Sequence, residues 1–263
     1  MKRREAAAAL LAAGAGSLLN GCGDARSEPA HRPFFQRGMN FTAEHGAIYG
    51  SPDANRVLEQ LRGKGVDSVV LVPYGFGRVH EARVNFGRGW ETDDSIRAAA
   101  KAAKALGMNV LLKPQVWVGR GWPGDIDFPN DPERAEWFAS YATFLKHYAS
   151  LASDIGAEIL SIGVEFGKMT RHPDSWRELI RLARTHYAGA LVYSATQGEE
   201  FESISFWDAL DYIGLNEYYP LPDDLGTTEL VRRVEAVQSK FNKPVIFTEA
   251  GFTSYTGPHK APW

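Results

Sequence analysis

Two stretches of this chain constrain its fold more than any others, because each is an apolar run of strand length that ends on a carboxylate. Residues 244–251 read Pro-Val-Ile-Phe-Thr-Glu-Ala-Gly, and residues 158–165 read Glu-Ile-Leu-Ser-Ile-Gly-Val-Glu. Near-continuous apolar and β-branched residues suit a strand buried on both faces, as in a parallel sheet covered by helices. A charged group where such a strand leaves the core is costly unless it is paired or hydrogen-bonded, so Glu165 and Glu249 each need partners. Two such strands in one parallel sheet would bring both carboxylates to the same face.

The rest of the chain supplies the alternation that such a sheet requires. Strands are expected at 34–41, 67–74, 109–116, 159–165, 190–196, 211–218 and 245–249, with helices at 53–64, 92–106, 131–155, 173–187 and 227–241. Residues 75–91 read as a long loop. On the longest helix Phe138, Tyr141, Leu145, Tyr148 and Leu151 recur at helical spacing, which marks a core-facing side. A doubly wound nucleotide-binding sheet should carry a glycine loop after its first strand, and none is there. The one G-x-G-x-x-G match, residues 119–124, encloses Trp122-Pro123 and runs into Asp125-Ile126-Asp127 instead of a helix, so it is no phosphate loop. A (β/α)8 TIM barrel is favoured, because polar or aromatic residues recur where strands end: Asn40, Tyr74, Lys113 with Gln115 and Trp117, Glu165, Gln197, Asn216 with Tyr218, and Glu249. In such barrels that face carries the active site.

Two carboxylates among Trp and Tyr, without His or Cys clusters, fit glycoside hydrolysis, in which one acid protonates the leaving oxygen and the other attacks or activates water. A retaining reaction would set their carboxyl groups about 5 to 5.5 Å apart. Lys113, Gln115 and Asn216 are candidate donors to sugar hydroxyls, and Trp117 a candidate platform. Trp90 and Trp122 each close a Gly-Arg-Gly-Trp loop and are read as sugar contacts or as ordinary loop packing. Lys113 is read either as a rim ion pair or as a contact to substrate or a catalytic Glu. Tyr218 and Tyr219 are read as packing, or one of them as a partner of the nucleophile. His45 and His80 lie in separate loops without ligand spacing, so neither a metal nor a cofactor is called for.

The segments LLKPQVW (111–117), WFASYATFLKHYASLA (137–152), ILSIGVEF (159–166), FWDALDYIGLNEYYPL (206–221) and KPVIFTEAGF (243–252) resemble glycoside hydrolase family 113. That resemblance implies a retaining barrel enzyme of the β-mannanase type acting on a polysaccharide or oligosaccharide, with Glu165 as acid/base and Glu249 as nucleophile. Val164 departs from the Asn that many related enzymes carry before the acid/base, and Glu217 stands where a small apolar residue is expected. Strand alternation would turn Glu217 away from its neighbours' face. The alternative reading is a non-catalytic carbohydrate-binding lipoprotein on a degenerate barrel.

At the N-terminus, Lys2-Arg3-Arg4 precedes an Ala/Leu-rich run through residue 19, the pattern of an export signal. Arg3-Arg4 resembles a twin-arginine signal, and Leu19-Asn20-Gly21-Cys22 resembles a bacterial lipobox. Cys22 is the single cysteine, which excludes an internal disulfide and makes it the expected lipidation site. The expected organisation is a lipoprotein-type signal at 1–22, a tether at 23–33 and a barrel domain at 34–263, exported to the cell envelope and held at the membrane by lipid. A net charge of −3 with dispersed Lys and Arg gives no footprint for nucleic acid. With seven strands counted, and fewer residues from 34 onward than the about 250 of a typical barrel, the domain is expected to lack its last helix and eighth strand.

Overall fold

The computed structural model describes residues 36–262, so the expected signal, the tether and Cys22 lie outside the described residues. Sixteen helices and strands, apart from short 3-10 turns, follow one another as β1 (Gly38–Phe41), α1 (Pro52–Gly63), β2 (Ser68–Leu71), β3 (Tyr74–Arg78), β4 (Glu81–Asn85), α2 (Asp93–Ala105), β5 (Asn109–Leu112) and β6 (Gln115–Trp117), then α3 (Asp131–Asp154), β7 (Ile159–Val164), α4 (Pro173–His186), β8 (Ala190–Thr196), α5 (Glu199–Ser203), β9 (Tyr212–Glu217), α6 (Thr228–Phe241) and β10 (Val245–Ala250). Seven strands form one sheet in the order β1-β2-β5-β7-β8-β9-β10, every neighbouring pair parallel. With helices on its outer side, this is the expected TIM-barrel architecture.

Local chemistry sets the helix ends. Ser51, Thr92 and Asn130 each accept a hydrogen bond from an amide of the first turn they precede, which satisfies one of that turn's orphan donors. Pro52, Pro132 and Pro173 sit at the first or second helical position, where a missing N–H costs nothing. On α3 the face carrying Trp137, Tyr141, Phe144, Leu145, Tyr148 and Leu151 is buried, with Phe138 at its margin. The main core lies between sheet and helices, whereas a smaller cluster of Val70, Val72, Leu111, Ile159 and Val192 packs separately with Tyr74, Tyr212 and Ile246.

Two expectations need correction. The single strand foreseen at 109–116 is two strands interrupted at Lys113-Pro114, because proline cannot donate to a ladder. The stretch 75–91 is no plain loop: β3 and β4 form an antiparallel pair, and β6 joins β3 in parallel to complete a second, three-stranded sheet. Both breaks coincide with proline, Pro73 after β2 and Pro114 after β5. The amides of Lys113 and Gln115 still bond the carbonyls of Leu71 and Pro73, each at 2.9 Å, so the small sheet continues β2 and β5 beyond the barrel rim. Arg and Gly dilute the alternation of Phe76 and Val84 there, which hides the strands from a search for apolar runs. The small sheet rests on α3: Val84 N–H donates to Ser140 Oγ at 2.9 Å, and a Cβ on Gly75 would lie 2.7 Å from the Phe144 ring.

Strands β1 and β10 are the edges of the large sheet, and among the described residues no further strand pairs with either. Met39 and Phe247 are exposed on them. A side chain spans the two edges where Asn40 Nδ2 donates to the Thr248 carbonyl at 3.1 Å.

Candidate active site

Glu165 directly follows β7 in a left-handed backbone conformation, φ +54°. Its N–H donates to the Ser194 carbonyl of β8 at 2.9 Å, which anchors the residue where the strand ends. Its carboxylate accepts two neutral donors, Asn216 Nδ2 on Oε1 at 2.9 Å and Trp122 Nε1 on Oε2 at 2.8 Å. Trp122 reaches that position because its ring lies against Gly124, where a Cβ would come within 2.4 Å of the indole. Trp122 is therefore a hydrogen-bond partner of Glu165, and its ring stays partly exposed beside that carboxylate.

The second carboxylate is aimed by an irregularity in β10. Phe247 pairs with Leu215 and Glu249 with Asn216, so Thr248 is the extra residue of a bulge. Bulges re-aim side chains near strand ends. Thr248 is buried and its hydroxyl donates to Asn216 Oδ1 at 2.7 Å, which leaves the Asn216 amide nitrogen for Glu165. Asn216 thus links the two strand ends. Glu249 is held on Oε1 by the Lys113 ammonium and on Oε2 by the Tyr218 hydroxyl at 3.0 Å.

Lys113 is almost wholly buried at the break between β5 and β6, where its ammonium meets the Glu249 carboxylate. Burial lowers its pKa, and the charges of Glu249 and then Glu165 push it back up, which places both carboxylates within electrostatic reach of one ammonium. Tyr218 is raised by burial, then by Glu249, and also by Glu165. Asn216, which bonds Glu165 and lies in register with Glu249, brings the two strand ends together.

Strand alternation sorts the neighbours. Asn216 faces Glu165, whereas Glu217 turns elsewhere and accepts the Tyr219 amide at 3.0 Å, with its pKa raised by burial. Tyr219 serves the far side, accepting Gly198 N–H at 2.8 Å and donating to Glu202 at 3.2 Å. Val164 is fully buried, so it offers nothing to a ligand.

A cleft of about 340 Å3 lies over the small sheet, lined by Tyr74, Phe76, Gly89, Trp90, Glu91 and Trp117. Trp90 and Trp117 are roughly half exposed, and Trp117 meets Tyr74 edge to face with centroids 6.2 Å apart. Burial, and after it the charges of Glu91 and Glu249, raise the Tyr74 pKa. Gln115 opens β6 opposite Tyr74 and makes no side-chain hydrogen bond among the described residues. Phe76 and Glu91 belong to the stretch read as loop and were not legible as site residues. Thr248 carried a signal, a polar residue inside an apolar strand just before the carboxylate.

The family model of Glycoside Hydrolase Family 113 matches residues 38–263. This chain belongs to glycoside hydrolase family 113. A family 113 β-mannanase from Alicyclobacillus acidocaldarius, solved in complex with ManMIm, shares 33% identity with it at a TM-score of 0.80, over 87% of this chain and 75% of that one. A family 113 β-1,4-mannanase solved as a complex shares 30% identity at a TM-score of 0.79, over 87% and 76% of the two chains. At 14% identity and a TM-score of 0.53, a fungal β-1,4-galactanase shares the fold. No curated protein sequence gives a significant match. Glycoside hydrolases in general act through a pair of carboxyl groups at a substrate cleft.

Proposed function

We propose that this glycoside hydrolase cleaves β-mannan or manno-oligosaccharides with retention of configuration. Glu249 is the nucleophile and Glu165 the acid/base. In the first step a carboxylate oxygen of Glu249 bonds to the anomeric carbon while the glycosidic C–O bond breaks, and Glu165 transfers its proton to the departing oxygen. In the second, Glu165 takes a proton from water, the water oxygen bonds to the anomeric carbon, and the bond to Glu249 breaks. The observation that carries this division is the difference in partners: a cation lies against Glu249, and only uncharged donors lie against Glu165. A cation favours the anionic form that attack needs, and uncharged donors orient Glu165 without repelling the proton it must carry.

Mannan is favoured by the two family 113 structures, both β-mannanases, and by an aromatic cleft suited to the apolar faces of sugar rings. Lys113, Asn216 and Tyr218 would meet the sugar at the bond cleaved, with Trp117 and Trp90 further along the chain and Gln115 at the rim between. The intact set of partners around both carboxylates argues against the non-catalytic alternative. Proton NMR of the product first released from β-mannan tests the proposal: the β-anomer is expected. An α-anomer at first appearance rejects double displacement, and hydrolysis of other β-linked glycans but not of mannan rejects the substrate.

We also propose that the enzyme is exported and lipid-anchored through Cys22. Membrane fractionation of Cys22→Ser should give unprocessed or soluble protein, and processed protein still in the membrane fraction would rule the anchor out.

A further inference from the structure

We propose that Tyr193 and Glu200 are positioning residues for Glu165, locking the peptide that follows it from the helix side of the sheet. The proposal rests on reading Glu165 as the acid/base. Glu165 has φ +54°, a conformation that costs a residue with a Cβ and persists only when its surroundings over-determine it. The amides on both sides of its Cα are held by β8. The N–H of Glu165 donates to the Ser194 carbonyl at 2.9 Å, and the N–H of Phe166 donates to the Tyr193 hydroxyl at 2.8 Å. With both flanking peptides fixed, the direction of the Cα–Cβ bond is fixed as well.

The second anchor is a side chain, so something must hold it. The Tyr193 hydroxyl has one proton and gives it to Glu200 Oε1 at 2.6 Å; Glu200 Oε2 accepts Thr196 N–H at 2.7 Å. The Tyr193 ring is fully buried and edge-on to Trp176 and Phe206, at 5.1 and 5.7 Å. A Cβ on Gly163 would lie 2.7 Å from the Tyr193 ring and 2.9 Å from Trp176, so a glycine in β7 gives both rings room. Ring and hydroxyl therefore have one place to sit. A packing staple would serve as well at any ladder position, yet this one is spent on the amide next to the carboxylate. Glu200 also senses Glu165, whose charge is among the causes that raise its pKa.

The test compares two substrates in the full chain. A 2,4-dinitrophenyl β-mannoside has a leaving group that departs without protonation, and β-1,4-mannotetraose needs the acid. Tyr193→Phe keeps the ring and removes the hydroxyl. We expect kcat/KM on mannotetraose to fall about 10- to 100-fold, part of the 10²–10⁴ that general acid catalysis supplies. On the aryl mannoside the loss should stay below about threefold. The double variant Tyr193→Phe, Glu200→Gln, which no longer buries a carboxyl group without its tyrosine partner, should show the same split at a thermal stability closer to the parent. Equal losses on both substrates, or no loss on either, overturn the positioning role. Glu165→Ala serves as reference: if it fails to discriminate between the substrates, the acid/base assignment falls and this role with it. If it discriminates and the Tyr193 variants do not, the positioning role alone is wrong.

Discussion

Strands β7 and β10 deliver the two carboxylates in different ways. All six residues of β7 are buried and it pairs on both sides, so the ladder itself carries Glu165, with a left-handed residue as its last step. Strand β10 pairs with β9 alone among the described strands, and its Phe247 and Ala250 are exposed. An edge strand has fewer backbone constraints, and Glu249 is accordingly aimed by a bulge at Thr248 and gripped by side chains from elsewhere, Lys113 and Tyr218. The central strand places its carboxylate by fixing the two peptides that flank it, and the edge strand by side chains that grip the carboxylate itself. Perturbing side chains around Glu249 should therefore do more harm than perturbing those around Glu165.

The comparison breaks most violently at Glu249 itself. Glu249→Ala should lower turnover by more than about 10⁴-fold, beyond the range of a lost general acid. Added azide should restore reaction only as an inverted glycosyl azide. Recovery of a retained azide product would reassign the nucleophile. Next in size is Lys113→Met, which leaves Glu249 without its cation in a mostly buried setting. We expect kcat/KM on manno-oligosaccharides to fall about 10²-fold, the scale of losing one charge-stabilising contact in an active site. A change under about threefold would mean that Lys113 is a rim ion pair without catalytic consequence.

The ease of reading the sequence tracks the same contrast. Seven apolar runs with polar ends were enough to place the large sheet, its helices and both carboxylates, because burial on two faces leaves an unbroken hydrophobic signature. Residues 75–91 gave no such signature. There the strands lie beyond the rim, with Phe76 exposed beside Gly75, Gly77 and Arg78, so in the sequence the aromatic cleft shows through Tyr74, Trp90 and Trp117 but not through Phe76 or Glu91. The bond from Trp122 to Glu165 has no signature in the sequence, since a spacing pattern cannot tell which way an indole N–H points. Tyr193 and Glu200 were invisible, because a buried polar pair in a strand and short helix looks like ordinary core and ordinary loop.

Glu200 also offers a contrast in protonation, since it lies behind the sheet, away from the open cleft. Burial is the largest influence on it and pushes it from 4.5 up to about 8, against the two donors from Tyr193 and Thr196. A carboxyl raised in the folded state keeps a proton that the unfolded chain has lost. Between about pH 4.5 and 8 the unfolding free energy should therefore fall as pH rises, by at most about 1.4 kcal/mol per pH unit from this group, and level off above. Urea unfolding of the parent and of Glu200→Gln across that window checks this. The difference in slope should vanish outside it, and parallel lines throughout would mean that Glu200 is ionised in both states.

The smallest effect is expected at Trp122, and it gives the finest test of backbone against side-chain placement. Trp122→Phe keeps a ring over Gly124 and removes the N–H that reaches Glu165 Oε2, while the Asn216 contact and the anchors on the Glu165 and Phe166 amides remain. One net hydrogen bond is worth about 0.5–1.5 kcal/mol, so kcat/KM should fall about two- to tenfold. Tyr218→Phe removes the corresponding donor from Glu249 at 3.0 Å, on a strand that pairs on one side only among the described residues. If the ladder positions Glu165, the Trp122 variant should lose less than the Tyr218 variant on the same manno-oligosaccharide. The reverse order would mean that Glu165 depends on its side-chain donors after all, and that its left-handed backbone is not what holds it.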